Sequence, residues 1–332
     1  MNERVFKSLE FDKIRAQCAT HTASDIGREF VADLVPTDDI ERARMLLRQT
    51  WEADGICRRI GGSPIDTYPD ARGTLRRVKA SYALSPAELL SLAQCLKASR
   101  RARETLLTGD DELELHRLAN PLSSHSEIES EIARCILSED EIFDNASPEL
   151  ARIRRQMRIT AERVKEKLNS IIKSPAYQKY LQEPIVTVRN GRYAIPVKAE
   201  HRAQIGGLIH DQSGSGQTVF IEPTAVVELG NVYKQLQAEE KREIERILAG
   251  LTALIAPYAD ELYQSLMLLG NLDCIFARAI LARDMRAYCP QLNDQIYTCF
   301  FCLYASYICW METYSCKWVS KSSPCVECSR NS

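Results

Sequence analysis

Four stretches of this 332-residue chain carry residue types that could do chemistry. His210, Asp211, Gln212 and Ser213 supply the side chains of a hydrolytic triad, but neighbours on an extended strand point to opposite faces and cannot converge on one scissile bond. Asp211 and Ser213 are instead expected to accept backbone N–H bonds and open a tight turn through Gly214 and Gly216. That Gly-X-Gly is not followed by Gly-Lys-Ser or Gly-Lys-Thr, and neither occurs anywhere in the chain, so there is no phosphate-cradling P-loop. Two cysteine pairs near the end, Cys299 with Cys302 and Cys325 with Cys328, approach a four-thiolate zinc pattern. Cys309 and Cys316 are additional, the knuckles lack Gly or Pro turns, and Phe300 and Phe301 would crowd the metal. No metal site is therefore assigned, and a zinc-binding regulator stands as an alternative only.

The fourth stretch is electrostatic. Residues 108 to 149 hold twelve acidic residues against Arg117 and Arg134, whereas residues 150 to 180 hold nine Lys or Arg against Glu162 and Glu166. Arg152, Arg155, Arg158, Arg163, Lys165, Lys167 and Lys173 could meet phosphates along an extended path, or the run could be a solvated face or a partner for the neighbouring acidic block. Arg189, Arg192, Lys198 and Arg202 add basic groups on the segment that follows, with Tyr193 beside them.

Two long helices are predicted to position these groups. Leu150, Ile153, Met157, Val164, Leu168 and Ile171 recur at three- and four-residue spacings, an apolar seam on a helix that Pro175 limits. A second helical pattern runs from Thr224 to Met285, with Leu229, Tyr233, Leu236, Ile244, Ile247, Leu251, Leu254, Tyr258 and Leu262 close to one face; Pro257 should kink or divide it. Between them the period changes to two. Ile185 and Thr187, then Tyr193, Ile195 and Val197, flank Asn190-Gly191, a strong hairpin signal, and Ile205–Ile209 and Thr218–Ile221 read as two further strands. Before Leu137 the chain reads as helical, with Ser85, Pro86 and Glu88 as a capping box.

Composition narrows the class. With 45% apolar and 27% charged residues the chain can bury a sizeable core, and a net charge of −2 gives no global case for nucleic acid or membrane. The amino terminus is charged from its third residue and lacks an apolar signal region, which leads to an expectation of a cytoplasmic protein whose thiols are reduced. Gln295–Met311 is uncharged but too short and polar to be favoured as a membrane span. The last 38 residues hold six of the twelve cysteines and eight aromatics, a compositional boundary near Asp294.

The segment IVTVRNGRYAIPVK at 185–198, followed by GGLIHDQSGSGQTVFIEP at 206–223, closely resembles the signature of the bacterial MutS-II family, paralogues of the mismatch-repair MutS ATPases. LEFDKI at 9–14 and EIERIL at 243–248 resemble the same family in the same order, so the resemblance covers residues 1 to about 294. It implies a mainly α fold: a helical core (1–149), a first lever helix (150–180), a small antiparallel β clamp tip (181–223), and a second lever antiparallel to the first that returns to the core (224–289). By this analogy Arg189, Arg192, Lys198 and Arg202 lie on the clamp tip and the basic run lies on the first lever.

Full-length members are, by the same resemblance, homodimeric ATPases that use ATP and Mg2+ and clasp branched or mismatched DNA, or ribosomal RNA in collided ribosomes. They are linked to suppression of recombination and to an endonuclease domain. After PQLND at 290–294 the resemblance ends, and the segment 290–332 is expected to be a divergent, frameshifted and poorly ordered tail, with the ATPase domain absent. The isolated chain is then expected to be monomeric or aggregation-prone, to need no cofactor and to release no phosphate from ATP. A helical protein-interaction scaffold without a nucleic-acid partner is the rival reading.

Overall fold

The computed structural model describes residues 10–37, 39–108 and 113–290. Along them run α1 (Phe11–Ala19), α2 (Asp25–Ala32), α3 (Ile40–Ile60), α4 (Arg72–Lys79), α5 (Pro86–Leu107), α6 (Glu114–Ala119) and α7 (Ser126–Cys135). Then come α8 (Pro148–Lys173), a short α9 (Pro175–Gln178), strands β1 (Thr187–Arg189), β2 (Arg192–Lys198), β3 (Gly207–Gln212) and β4 (Thr218–Pro223), and finally α10 (Thr224–Ile255) and α11 (Ala259–Asp284). The fold is mainly helical with one small antiparallel sheet. Contacts group the described residues into two units, one formed by those up to Ala133 together with those from Thr252 on, and the other by Arg134–Leu251. The cysteine-rich tail, with Cys299, Cys302, Cys325 and Cys328, and the uncharged run Gln295–Met311 lie outside the described residues.

Local chemistry sets the element ends. Ser85 accepts from Glu88 N while the Glu88 carboxylate accepts from Ser85 N, with Pro86 at the first helical position of α5. Ser147 caps α8 by accepting from Leu150 N at 3.0 Å. That helix stops at Lys173, before Pro175. Pro257 divides the second long pattern: α10 ends at Ile255, a 3-10 turn spans Ala256–Tyr258, and α11 starts at Ala259.

The first unit is organised around α11, which packs against α1 through α6. Leu269, Leu272, Phe276 and Ala277 are fully buried, each large side chain contributing about 1.5–3 kcal/mol of apolar burial. The helical stretch Thr224–Asp284 is apolar enough to cross a membrane, but 72% of its apolar window is buried within the protein, as in a core helix. Asp273 holds the start of α2, accepting from Ala23 N, from Ser24 N at 3.0 Å and from the Ser24 hydroxyl at 2.7 Å. Burial pushes this carboxyl above its usual range. Gly27 faces it so closely that an added Cβ would overlap the carboxylate.

The second unit pairs α8 with α10. Ser147 Oγ donates to Glu243 at 2.6 Å, Arg154 Nε to Glu240 at 2.7 Å and Lys167 Nζ to Ala225 O at 3.2 Å, so the partners descend α10 as they ascend α8 and the helices are antiparallel. The sheet has the order β1-β2-β4-β3, antiparallel throughout, with Ile195 opposite Ile221 and Val197 opposite Val219. Those four residues join Val164, Leu168, Ile172 and Val226 of the long helices in one core. The central strands β2 and β4 are buried, and the edges β1 and β3 are mostly exposed.

Some details depart from the sequence pattern. On α8 the buried positions are Leu150, Ile153, Thr160, Val164, Leu168 and Ile172, with Met157 and Ile171 half-buried, because 3.6 residues per turn carries the stripe forward past a fixed spacing. Leu254 and Tyr258, expected on the apolar face, are exposed, and Thr252, Ile255 and Ala259 are buried instead. Strand β3 starts at Gly207 rather than Ile205 and is bulged between Ile209 and Asp211.

Candidate nucleic-acid interface

The hairpin β1–β2 turns at Asn190 and Gly191, whose φ values of 50° and 70° form the left-handed pair that a two-residue loop needs. Asn190 Nδ2 donates to His210 O at 2.9 Å and ties this turn to β3. Between β3 and β4, Asp211 accepts from Gln212 N at 2.8 Å and Ser213 Oγ accepts from Thr218 N at 3.0 Å. Gly216, at φ 72°, donates to Ser213 O at 2.8 Å and closes the turn that Gly214 begins. His210 reaches Glu222 at 2.6 Å, so His210, Asp211 and Ser213 each engage a separate partner.

The basic side chains of this segment differ in what they face. Arg189 and Arg192 are register partners across the hairpin. The Arg189 guanidinium lies 4.3 Å over the Phe220 ring with Asp211 at 3.7 Å and remains nearly half exposed. Arg192 turns inward to Glu222 at 3.5 Å. Glu222, 1% exposed, thereby has Arg192 on one oxygen and His210 on the other, which offsets the cost of burying a carboxylate. Lys198 Nζ is 3.4 Å from Lys179 O, and Arg202 is exposed after the short turn Ala199–His201.

On α8 the two halves contrast. Arg152 pairs with Glu149 at 2.6 Å, Arg154 with Asp144 and Glu240, and Arg158 with Asp144 at 3.0 Å. Arg154 and Arg158 hold the Asp144 carboxyl below its ordinary range. Further along, Arg163, Lys165 and Lys173 are exposed and make no ion pair among the described residues, while Lys167 Nζ meets a backbone carbonyl. Lys165, Asn169, Ile185, Val188 and Tyr193 line an open groove beside this half of the helix. Burial pushes the nearby Tyr233 hydroxyl up, and its ring packs edge-on to Tyr193 at 5.8 Å.

Sequence reasoning missed Arg154, Glu222 and Glu243. Glu222 left one signal, a carboxylate directly after the apolar run Val219–Ile221. The ion-pair partners of Arg154 and the Ser147–Glu243 bond link residues far apart in sequence and leave no local trace. No Gly-Lys-Ser or Gly-Lys-Thr occurs in the chain, and among the described residues no three His, Cys, Asp or Glu gather as a possible metal site.

No family model matches the chain. Among curated proteins it is 45% identical over 300 residues to the Endonuclease MutS2 of Acetivibrio thermocellus, and 44% identical over 297 residues to that of Ruminiclostridium cellulolyticum. It is 42% identical over 301 residues to the Endonuclease MutS2 of a Geobacillus species, strain WCH70. These alignments take in 89–90% of this chain and 38% of each relative, so the chain spans well under half the length of the proteins it matches. Identity at this level, sustained over nine-tenths of the chain, makes it a member of the MutS2 family.

Proposed function

We propose that this chain is a part of a MutS2 protein that grips nucleic acid by its phosphate backbone, with α8 and α10 as levers and the four-stranded sheet as the clamp. The observation that carries the reading is the division of charge on α8. In its first half Arg152, Arg154 and Arg158 are paired with carboxylates and Arg155 is exposed without an ion pair among the described residues, whereas in the second half Arg163, Lys165 and Lys173, with Arg202 on the clamp segment, are all exposed without one. Cations left unpaired release counterions when they meet phosphates, which gives sequence-independent affinity. Arg192 has another part, neutralising Glu222 within the clamp.

The partner on this reading is branched or mismatched DNA, or the ribosomal RNA of collided ribosomes. ATP hydrolysis and strand cleavage would be activities of a longer protein, with this chain as the holding element. The test compares binding of a DNA three-way junction and of ribosomes by the parent and by an Arg163→Glu, Lys165→Glu, Arg202→Glu variant. Both affinities should fall if the backbone is what is gripped, and the tighter of the two parent complexes names the partner. Unchanged binding by the variant would refute the reading. The rival scaffold reading draws on the Arg152, Arg154 and Arg158 pairs, which are confined to the first half of α8.

A further inference from the structure

The first unit carries a basic surface of its own. On α3, Arg44, Arg48, Trp51, Gly55 and Arg58 recur at spacings of three and four and so share one face. The opposite face buries Ala43, Gln49, Ala53, Ile56 and Cys57. Trp51 is 56% exposed, an unusual place for the largest apolar side chain. Beside it a pocket opens between α3 and the end of α11, floored by Leu47 and Ala282 and rimmed by Trp51, Arg58, Arg283 and Tyr288. Tyr288 is 78% exposed.

The rim is cationic. Arg58 and Arg283 share one carboxylate, Asp54, at 2.6 and 3.3 Å, and both keep much of the side chain in solvent. Arg48, Arg59 and Arg286 are exposed and make no ion pair among the described residues. The other acids near this face are occupied: Glu41 by Arg44, Glu52 by the backbone N–H groups of Glu114 and Leu115, and Asp284 by His21. Arg58 and Arg283 therefore line the pocket beside the two exposed rings and share Asp54 as their counter-charge, and Arg48 sits about one turn before Trp51 on the same face of α3.

Exposed rings and guanidinium groups over an apolar floor match the chemistry of unpaired nucleotides, whose bases offer faces for stacking and whose phosphates accept from arginine. Duplex DNA presents phosphates but keeps its base faces stacked, so it would leave the rings unused. We propose that this pocket binds single-stranded nucleic acid, seating bases against Trp51 and Tyr288 and phosphates on Arg48, Arg58 and Arg283. The site is separate from the clamp, and the two assignments stand or fall independently.

The test is fluorescence anisotropy of the full chain with a short labelled oligo(dT) and with a blunt duplex. Trp51→Ala should weaken oligo(dT) binding at least about five-fold, the low end for one stacked base, while Trp51→Phe retains most of it. An Arg48→Glu, Arg58→Glu double variant should weaken it further and flatten its salt dependence. Duplex binding should be unchanged in all three, and a matching thermal melt will show that each variant folds. The proposal is overturned if the parent does not bind oligo(dT), or if Trp51→Ala and the double variant bind it as the parent does. It is equally overturned if only Lys165→Glu and Arg163→Glu in the second unit abolish oligo(dT) binding, a result that would still support the clamp.

Discussion

At the scale of single residues, two glycines and one carboxylate show how little room the fold leaves. Gly27 abuts the Asp273 carboxylate that holds the start of α2, so Gly27→Ala must displace either the helix or its cap. We expect a loss of about 1–3 kcal/mol in urea unfolding, and an unchanged midpoint would contradict the close approach. Gly191 is constrained differently: its φ of 70° is left-handed, and the nearest atom to an added Cβ is the flexible end of Lys234. Gly191→Ala should therefore cost roughly 1–2 kcal/mol through backbone conformation alone. The Asn190-Gly191 turn was legible in the sequence because few residue pairs tolerate two positive φ angles in succession. Glu222 was not legible in its role, because Arg192 and His210 reach it only after three strands have aligned.

At the scale of elements, the α8–α10 pair depends on Ser147 and Glu243. Ser147 both caps α8 and donates to Glu243, so Ser147→Ala removes a cap worth about 1–2 kcal/mol and a cross-helix bond together. The hydrogen bonds from Arg246, and then from Ser147, bring the Glu243 carboxyl from 4.5 to about 2. A carboxyl depressed on folding adds stability that is fully present above its unfolded value and is lost as pH falls through its folded one. Acid unfolding of the second unit should therefore draw on Glu243 between about pH 4.5 and 2, and Glu243→Gln should flatten that limb of the stability curve. An acid limb identical in the two proteins would contradict the assignment. The helices themselves were legible from apolar spacing and proline positions. The pairing of their charges was not, since Arg154 looks no different from Arg155 until α10 lies alongside.

At the scale of the whole molecule, a net charge of −2 concealed a division that sequence blocks revealed only coarsely. The basic run at 150–180 was visible, but which of its residues are free for a partner depends on carboxylates such as Asp144 and Glu240 brought in by folding. The exposure of Trp51 is set by which face of α3 packs against α11 and α6, contacts that lie far apart in sequence. The central claim is that the exposed cations of α8 and the clamp segment meet phosphates, and salt dependence tests it most directly. The slope of log affinity against log salt for duplex DNA should be shallower in the Arg163→Glu, Lys165→Glu, Arg202→Glu variant than in the parent, by roughly 0.9 for each phosphate that the variant no longer neutralises. Equal slopes and equal affinities would contradict the account.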